Sequence, residues 1–209
     1  MQESALHAVK VDHALLTAQK QTFDDLGYVV IEGALDERAV AHLLEVIDGC
    51  RTRLAQHEHA NKVRDGLNIR PVIDKDPAFV DLLISPKTFA AVVHLLGHYN
   101  IQLQQSNLIE ANPQPERRLT GWHSDGGIPF LGVNGIRAFG SLKVGYFLRD
   151  LLAPDMGALM VVPGSHRTQG APPFLPGERD PQGATELRVR AGDAVIFQQK
   201  PRLQIGNAD

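Results

Sequence analysis

The chain has 209 residues, of which 43% are hydrophobic and 22% charged, as expected for one globular domain and not for a disordered or low-complexity protein. Its 21 basic and 24 acidic residues give a net charge of -3, which excludes the basic surface of proteins that bind nucleic acid or anionic membranes. No window approaches the roughly 18 apolar residues of a spanning helix, and residues 1–20 lack the features of a secretory signal. We therefore expect a cytoplasmic protein.

The chain contains one cysteine, Cys50. A single thiol excludes an internal disulfide and every zinc site built from several cysteines, so a metal would have to be held by histidine and carboxylate side chains. We expect Cys50 itself to be a small buried side chain with a structural role.

The first half of the chain is predicted to be mostly helical. Apolar residues recur at helical spacing, for example Val40, Leu43 and Ile47. One β-branched run near residues 28–31 predicts a strand. Asp36 is predicted to cap the helix that follows this strand.

Beyond residue 100 the hydrophobic period shortens to two, and glycine and proline become frequent. Strands are predicted at residues 101–109, 142–148, 158–162, 186–189 and 194–197. No helical crossover separates them, so we expect an all-β sandwich or barrel. The proline-rich residues 170–183 are predicted to form an irregular surface loop over one mouth of this barrel.

The residues most suggestive of chemistry are His123 and Asp125, with Ser124 between them. In a strand, residues two apart face the same side, so this pair can place an imidazole nitrogen and a carboxylate oxygen on one metal ion. Two histidines and one carboxylate form the iron site of non-haem Fe(II) oxygenases. Alternatively, the pair lies on a solvated strand or turn. Trp122 and the loop after residue 170 are predicted walls of the site.

Four blocks in order, residues 23–36, 123–125, 156–167 and 192–197, resemble the phytanoyl-CoA dioxygenase (PhyH) family of Fe(II)/2-oxoglutarate-dependent oxygenases. The resemblance implies a double-stranded β-helix (a cupin-like jelly roll) with N-terminal helices: a single domain over residues 1–209, helical over 1–98 and jelly-roll over 99–209. It implies that His123 and Asp125 bind Fe(II), with 2-oxoglutarate and O2 as co-substrates. The expected reaction is hydroxylation of a small organic substrate, with release of succinate and CO2.

Two further residues are candidate contacts for 2-oxoglutarate. Gln105 matches the position from which the family contributes such a contact; the alternative is a glutamine that faces water. Lys143 is predicted to share a strand face with Gly145 and Phe147, where an inward ammonium would pair with a carboxylate. The alternative for Lys143 is outward exposure.

The end of the sequence departs from the family pattern. Residues 198–209 contain no histidine, and Arg202 lies too close to Phe197 to match the family's arginine. The expected explanation is a chain whose last strands are missing, by truncation, frameshift or divergence. A catalytically inactive or incomplete jelly-roll domain that acts as a binding module, and a cupin-like metal enzyme that uses no 2-oxoglutarate, are the alternatives. The only histidine after Asp125 is His166, which is expected at a surface turn.

Overall fold

The computed structural model describes residues 12–55, 62–63, 66–111, 122–123, 141–154, 156–168, 172–198 and 203–205. The helices in these ranges are α1 (His13–Leu26), α2 (Glu37–Ala55), α3 (Pro77–Asp81) and α4 (Pro86–Leu96), with short 3-10 helices at Leu82–Ile84 and Ser165–Arg167. The strands are β1 (Tyr28–Ile31), β2 (Lys62–Val63), β3 (Gly66–Ile69), β4 (Leu108–Ala111), β5 (Leu142–Tyr146), β6 (Leu159–Val161), β7 (Thr185–Glu186), β8 (Ala194–Gln198) and β9 (Leu203–Ile205).

The first two helices begin where side-chain caps are available. The Asp12 carboxylate accepts hydrogen bonds from the backbone N–H groups of Ala14 and Leu15 at the start of α1. Asp36 Oδ1 accepts from the Ala39 N–H at 2.8 Å, which confirms the predicted cap of α2. These bonds satisfy N–H groups that have no partner inside the helix.

The described strands form three antiparallel sheets of three strands each, in the orders β1-β8-β5, β2-β3-β4 and β7-β6-β9. Among the described residues these sheets do not close into a barrel. β8 is the central strand of the first sheet, between β1 from the start of the chain and β5. The helical first half and the β-rich second half therefore share one sheet.

The first sheet is covered on both faces. On one face, side chains of β1 and β8 such as Val29 and Ile196 pack with Phe23 of α1 and Leu95 of α4. On the other face, Val195 and Phe197 of β8 pack with Leu159 and Val161 of β6. Successive strand residues point to opposite faces, so one apolar strand serves both layers. The first and third sheets therefore pack face to face through β8 and β6.

The second sheet packs against α2. Leu43, Ile47 and Cys50 of α2 share a buried cluster with Ile69 of β3 and Phe79 of α3. Cys50 is 2% exposed, which confirms the buried thiol predicted for it. This cluster extends the core beyond the helices around the first sheet.

Three predicted elements differ in the structure. The strand expected over residues 101–109 begins only at Leu108, because Ser106 instead bonds a neighbouring loop: its carbonyl oxygen accepts from the Val72 N–H and its Oγ from the Ile73 N–H. The strand expected over residues 186–189 is the two-residue β7, and Val189 forms an isolated bridge with Leu151. The pair β2-β3 was not predicted, since the first half was interpreted as helical with one strand.

Within the described residues no single helix is long and apolar enough to cross a membrane. Two helical segments, Pro77–Ile84 and Pro86–Leu96, are long and apolar enough only when they are taken together, and they are bent by 51° relative to each other. Ala91 and Leu95 of the second member are buried in the core against β1 and β8.

Candidate metal centre

Two iron ligands were predicted, His123 and Asp125, and His123 lies within the described residues. Its side chain and that of Trp122 are both half-buried. The indole Nε1 of Trp122 donates a hydrogen bond to Asp180 Oδ1 at 3.0 Å. Partial burial shields the imidazole of His123 from much of the solvent, and imidazole is a common ligand of iron in proteins.

Asp125 lies outside the described residues, so its convergence with His123 stays a prediction. Among the residues that the structure does describe, no group of three or more His, Cys, Asp or Glu side chains is arranged to hold a metal ion. Of the two predicted iron ligands, only His123 lies within the described residues, and its role as a ligand stays a prediction.

Lys143 lies on the inner face of the first sheet. In the register of the sheet it pairs with Phe197 of β8, and Phe197 pairs with Tyr28 of β1, so the three share a face. That face packs against β6 of the third sheet. A Cβ placed on Gly145 would lie 3.9 Å from the ring of Phe147, so Lys143, Gly145 and Phe147 lie on one side, as predicted. The role of Lys143 as a contact for 2-oxoglutarate stays a prediction.

Gln105 has an exposed side chain in the irregular segment that precedes β4. Its neighbour Ser106 makes the bonds that hold this segment, through its carbonyl and its hydroxyl. The placement agrees with the alternative of a glutamine that faces water, and a contact with 2-oxoglutarate stays a prediction.

His166 lies in the 3-10 helix after β6, where it holds the end of α1. Its Nε2 is 3.0 Å from the carbonyl oxygen of Asp24, and the Gly164 N–H donates to the carbonyl of Leu26 at 2.9 Å. A Cβ on Gly27 would lie only 2.5 Å from His166 Nδ1, so the imidazole packs directly against this glycine. His166 is part of a turn that docks on a helix end, as expected, and its position gives it a structural role.

The loop over residues 172–184 lies against the segment that carries His123. Phe174 and Pro181 form a β-bridge, and the Gln182 N–H donates to the Pro173 carbonyl at 2.9 Å. The loop is thus more regular than predicted. Phe174 and Leu175 are 51% and 50% exposed, while Asp180 reaches Trp122. Asp180 was not identified from the sequence, since no spacing links it to His123.

A family model described as Phytanoyl-CoA dioxygenase (PhyH) matches residues 23–200. The chain belongs to the phytanoyl-CoA dioxygenase family. This confirms the resemblance found in the sequence and places the chain in a family of Fe(II)/2-oxoglutarate-dependent oxygenases. By sequence, no curated protein matches the chain significantly.

Solved structures show the same fold for this PhyH family member. The epimerase SnoN, in complex with Fe3+, alpha ketoglutarate and nogalamycin RO, superposes with a TM-score of 0.69 at 22% identity, over 95% of this chain and 79% of that chain. HygX from Streptomyces hygroscopicus, with nickel and 2-oxoglutarate bound, gives 0.69 at 17% identity, over 91% and 80%. EctD from S. alaskensis, with 2-oxoglutarate and 5-hydroxyectoine, gives 0.68 at 24% identity, over 91% and 70%. At these identities the likeness shows the fold.

The predicted loss of C-terminal strands stays a prediction. β9 follows β8 in the chain and pairs with β6 in the third sheet, so at least one strand comes after the 192–197 motif.

Proposed function

We propose that this PhyH family member is an Fe(II)/2-oxoglutarate-dependent dioxygenase that hydroxylates a small organic substrate and releases succinate and CO2. The observation that carries the proposal is the half-buried His123, within the segment matched by the family and beside a loop bonded to its neighbour Trp122. The solved structures with the same fold hold iron or nickel together with 2-oxoglutarate.

In this proposal His123 and Asp125 hold the ferrous ion. Iron, with 2-oxoglutarate and O2 as co-substrates, would supply the oxidising chemistry of hydroxylation. His123 would bind the ion through the lone pair of a ring nitrogen. Lys143, on the inner face of the first sheet, is suited to donate hydrogen bonds to a carboxylate. Trp122 and the loop over 172–184 shield one side of the site from water.

The test measures succinate formed from 2-oxoglutarate with Fe(II) and ascorbate. The unmutated chain should form succinate in an iron-dependent reaction, and His123→Ala and Asp125→Ala should reduce it to background. His42→Ala is the matched control, because His42 is exposed on α2, and should keep the full rate. Absence of iron-dependent succinate from the unmutated chain would contradict the proposal.

A second candidate function is a binding module without catalytic activity. It is favoured by the sequence of residues 198–209, which contains no histidine. The two candidates predict different effects of added metal on the stability of the fold. A metal at about 100 times its Kd stabilises a competent site by about 2.7 kcal/mol. Thermal unfolding with Mn(II) should therefore show a raised Tm for the dioxygenase and an unchanged Tm for an inactive module.

A further inference from the structure

A side-chain hydrogen bond joins the loop over residues 172–184 to the His123 segment: Trp122 Nε1 donates to Asp180 Oδ1 at 3.0 Å. Both side chains are half-buried. An N–H that donates to an ionised carboxylate makes a stronger bond than one between neutral groups, and partial burial reduces competition from water. The bond is therefore suited to hold the indole in one orientation.

Asp180 is presented by the anchored base of the loop. The next residue, Pro181, is buried and bridges to Phe174, and the Ala184 N–H donates to the Pro181 carbonyl at 3.0 Å. A Cβ on Gly183 would lie 4.0 Å from Val162, the residue after β6. The bridge and the hydrogen bond order the base of the loop, which continues directly into β7 of the third sheet, so the carboxylate is held on an ordered support.

We propose that Asp180 is a positioning residue for the metal site: by holding Trp122 it orients the adjacent backbone from which the His123 imidazole projects. This inference rests on the proposed function, in which His123 binds iron. Groups that orient a ligand without touching the metal contribute strongly to metal affinity. The loop that shapes the approach to the site would in this way also set the geometry of its histidine.

Trp122 is the only tryptophan in the chain, so its fluorescence reports the bond directly. The variants are Asp180→Ala, which removes the acceptor, and Asp180→Asn, which keeps one acceptor oxygen without the charge. Glu178→Ala is the matched control, an exposed carboxylate in the same loop. We expect Asp180→Ala to shift the emission of Trp122, Asp180→Asn to shift it less, and Glu178→Ala to leave it unchanged.

Metal binding is then measured on the full chain by titration with Ni(II), followed by quenching of Trp122 and by calorimetry. We expect Asp180→Ala to weaken Ni(II) binding by about tenfold, the lower end of the range for residues that orient metal ligands, with partial rescue by Asp180→Asn. Trp122→Phe should weaken binding similarly by calorimetry. Adding Asp180→Ala to Trp122→Phe should then weaken binding by less than Asp180→Ala does in the unmutated chain, because the bond to Trp122 is already absent.

Two results would overturn the positioning role alone: an unchanged emission of Trp122 in Asp180→Ala, or a shifted emission with the Ni(II) affinity of the unmutated chain. The latter would make the bond a purely structural tie. Failure of the proposed function looks different, because the unmutated chain would then bind no Ni(II), or His123→Ala would bind it equally well. That outcome removes the metal site and the positioning role together.

Discussion

At the scale of single residues, Asp193 shows how a sequence motif is explained by buried hydrogen bonds. The side chain is 8% exposed. Its Oδ1 accepts from the Gly33 N–H and its Oδ2 from the Arg190 N–H, each at 2.8 Å. One carboxylate thus joins the turn before β8 to the turn after β1, and it needs no role in chemistry.

Replacing Asp193 by Ala leaves two backbone N–H groups without their acceptor. Each such loss costs about 1 to 3 kcal/mol when water cannot reach the group, so we expect Asp193→Ala to lower the free energy of unfolding by about 2 to 6 kcal/mol. Asp150→Ala is the control, since the exposed Asp150 makes one comparable bond, to the Ala191 N–H at 2.8 Å. It should cost about 1 kcal/mol or less, because water replaces the carboxylate. Urea denaturation measures both, and equal losses would contradict the expectation.

Gly192, beside Asp193, must be glycine for two separable reasons. Its φ is +94°, and a Cβ would lie 2.5 Å from the carbonyl oxygen of Leu35. Gly97 has a similar φ of +75° but no atom within 4 Å of a Cβ. Gly97→Ala should therefore lower the free energy of unfolding only by the strain of the left-handed backbone, about 1 to 2 kcal/mol.

Gly192→Ala should combine the same strain with a steric clash against the backbone of Leu35. It should lower the free energy of unfolding by about 3 kcal/mol or more. Thermal unfolding of the two variants provides the comparison. Similar shifts in Tm would show that the backbone near Leu35 moves aside, contrary to this expectation.

At the scale of elements, Tyr146 links β5 to the helices that cover the first sheet. Its hydroxyl donates to the Leu82 carbonyl at 2.8 Å and lies 2.5 Å from Thr88 Oγ1. Burial raises the pKa of Tyr146 above its ordinary value, although hydrogen bonds with Thr88 and Ser85 act in the opposite direction. The folded protein thus favours the neutral phenol.

Because the pKa of Tyr146 is higher in the folded state, the free energy of unfolding falls as the pH rises into the alkaline range. The contribution of neutral Tyr146 is complete below the unfolded pKa of about 10 and is lost as the pH rises through the folded pKa. Tyr146→Phe should therefore show a shallower fall in the free energy of unfolding above about pH 10. At pH 8 it should be less stable by about 1 to 2 kcal/mol, because its hydrogen bonds are missing.

Denaturant titrations at several pH values test this. Tyr99→Phe serves as control, because Tyr99 is 84% exposed, and should follow the unmutated chain at every pH. Burial also raises the pKa of Tyr28, so part of the alkaline loss should remain in Tyr146→Phe. An unchanged slope in Tyr146→Phe would contradict the role given to this hydroxyl.

The elements that were predicted correctly are those with local signals. β1, β5, β6 and β8 are short apolar runs bounded by turn residues, and α2 begins at the capping Asp36. The pair β2-β3 was missed, although Asp65-Gly66 is a dipeptide typical of hairpins. The late start of β4 had no such signal, since Ser106 is held by a loop distant in the chain.

At the scale of the whole molecule, the fold depends on pairing across nearly the full length of the chain. β8 pairs antiparallel with β1, and Tyr28 lies opposite Phe197 at one end of the pair and Ile31 opposite Ala194 at the other. The side chains of β8 pack against α1 and α4 on one face of the sheet and against β6 on the other. The candidate site shares this property, because its histidine and the aspartate bonded to its neighbour come from separate segments.

The sequence by itself determined the family, its class of chemistry, the cap of α2 and the core strands, and it predicted the pair His123 and Asp125, because motifs and periodicity are local properties of the chain. Only the tertiary structure decided that Lys143 lies on an inner face, that His166 packs on the end of α1, and that Asp180 bonds Trp122. Those relations join residues far apart in the chain, and the distances between such residues are set by sheet pairing and layer packing rather than by any local pattern.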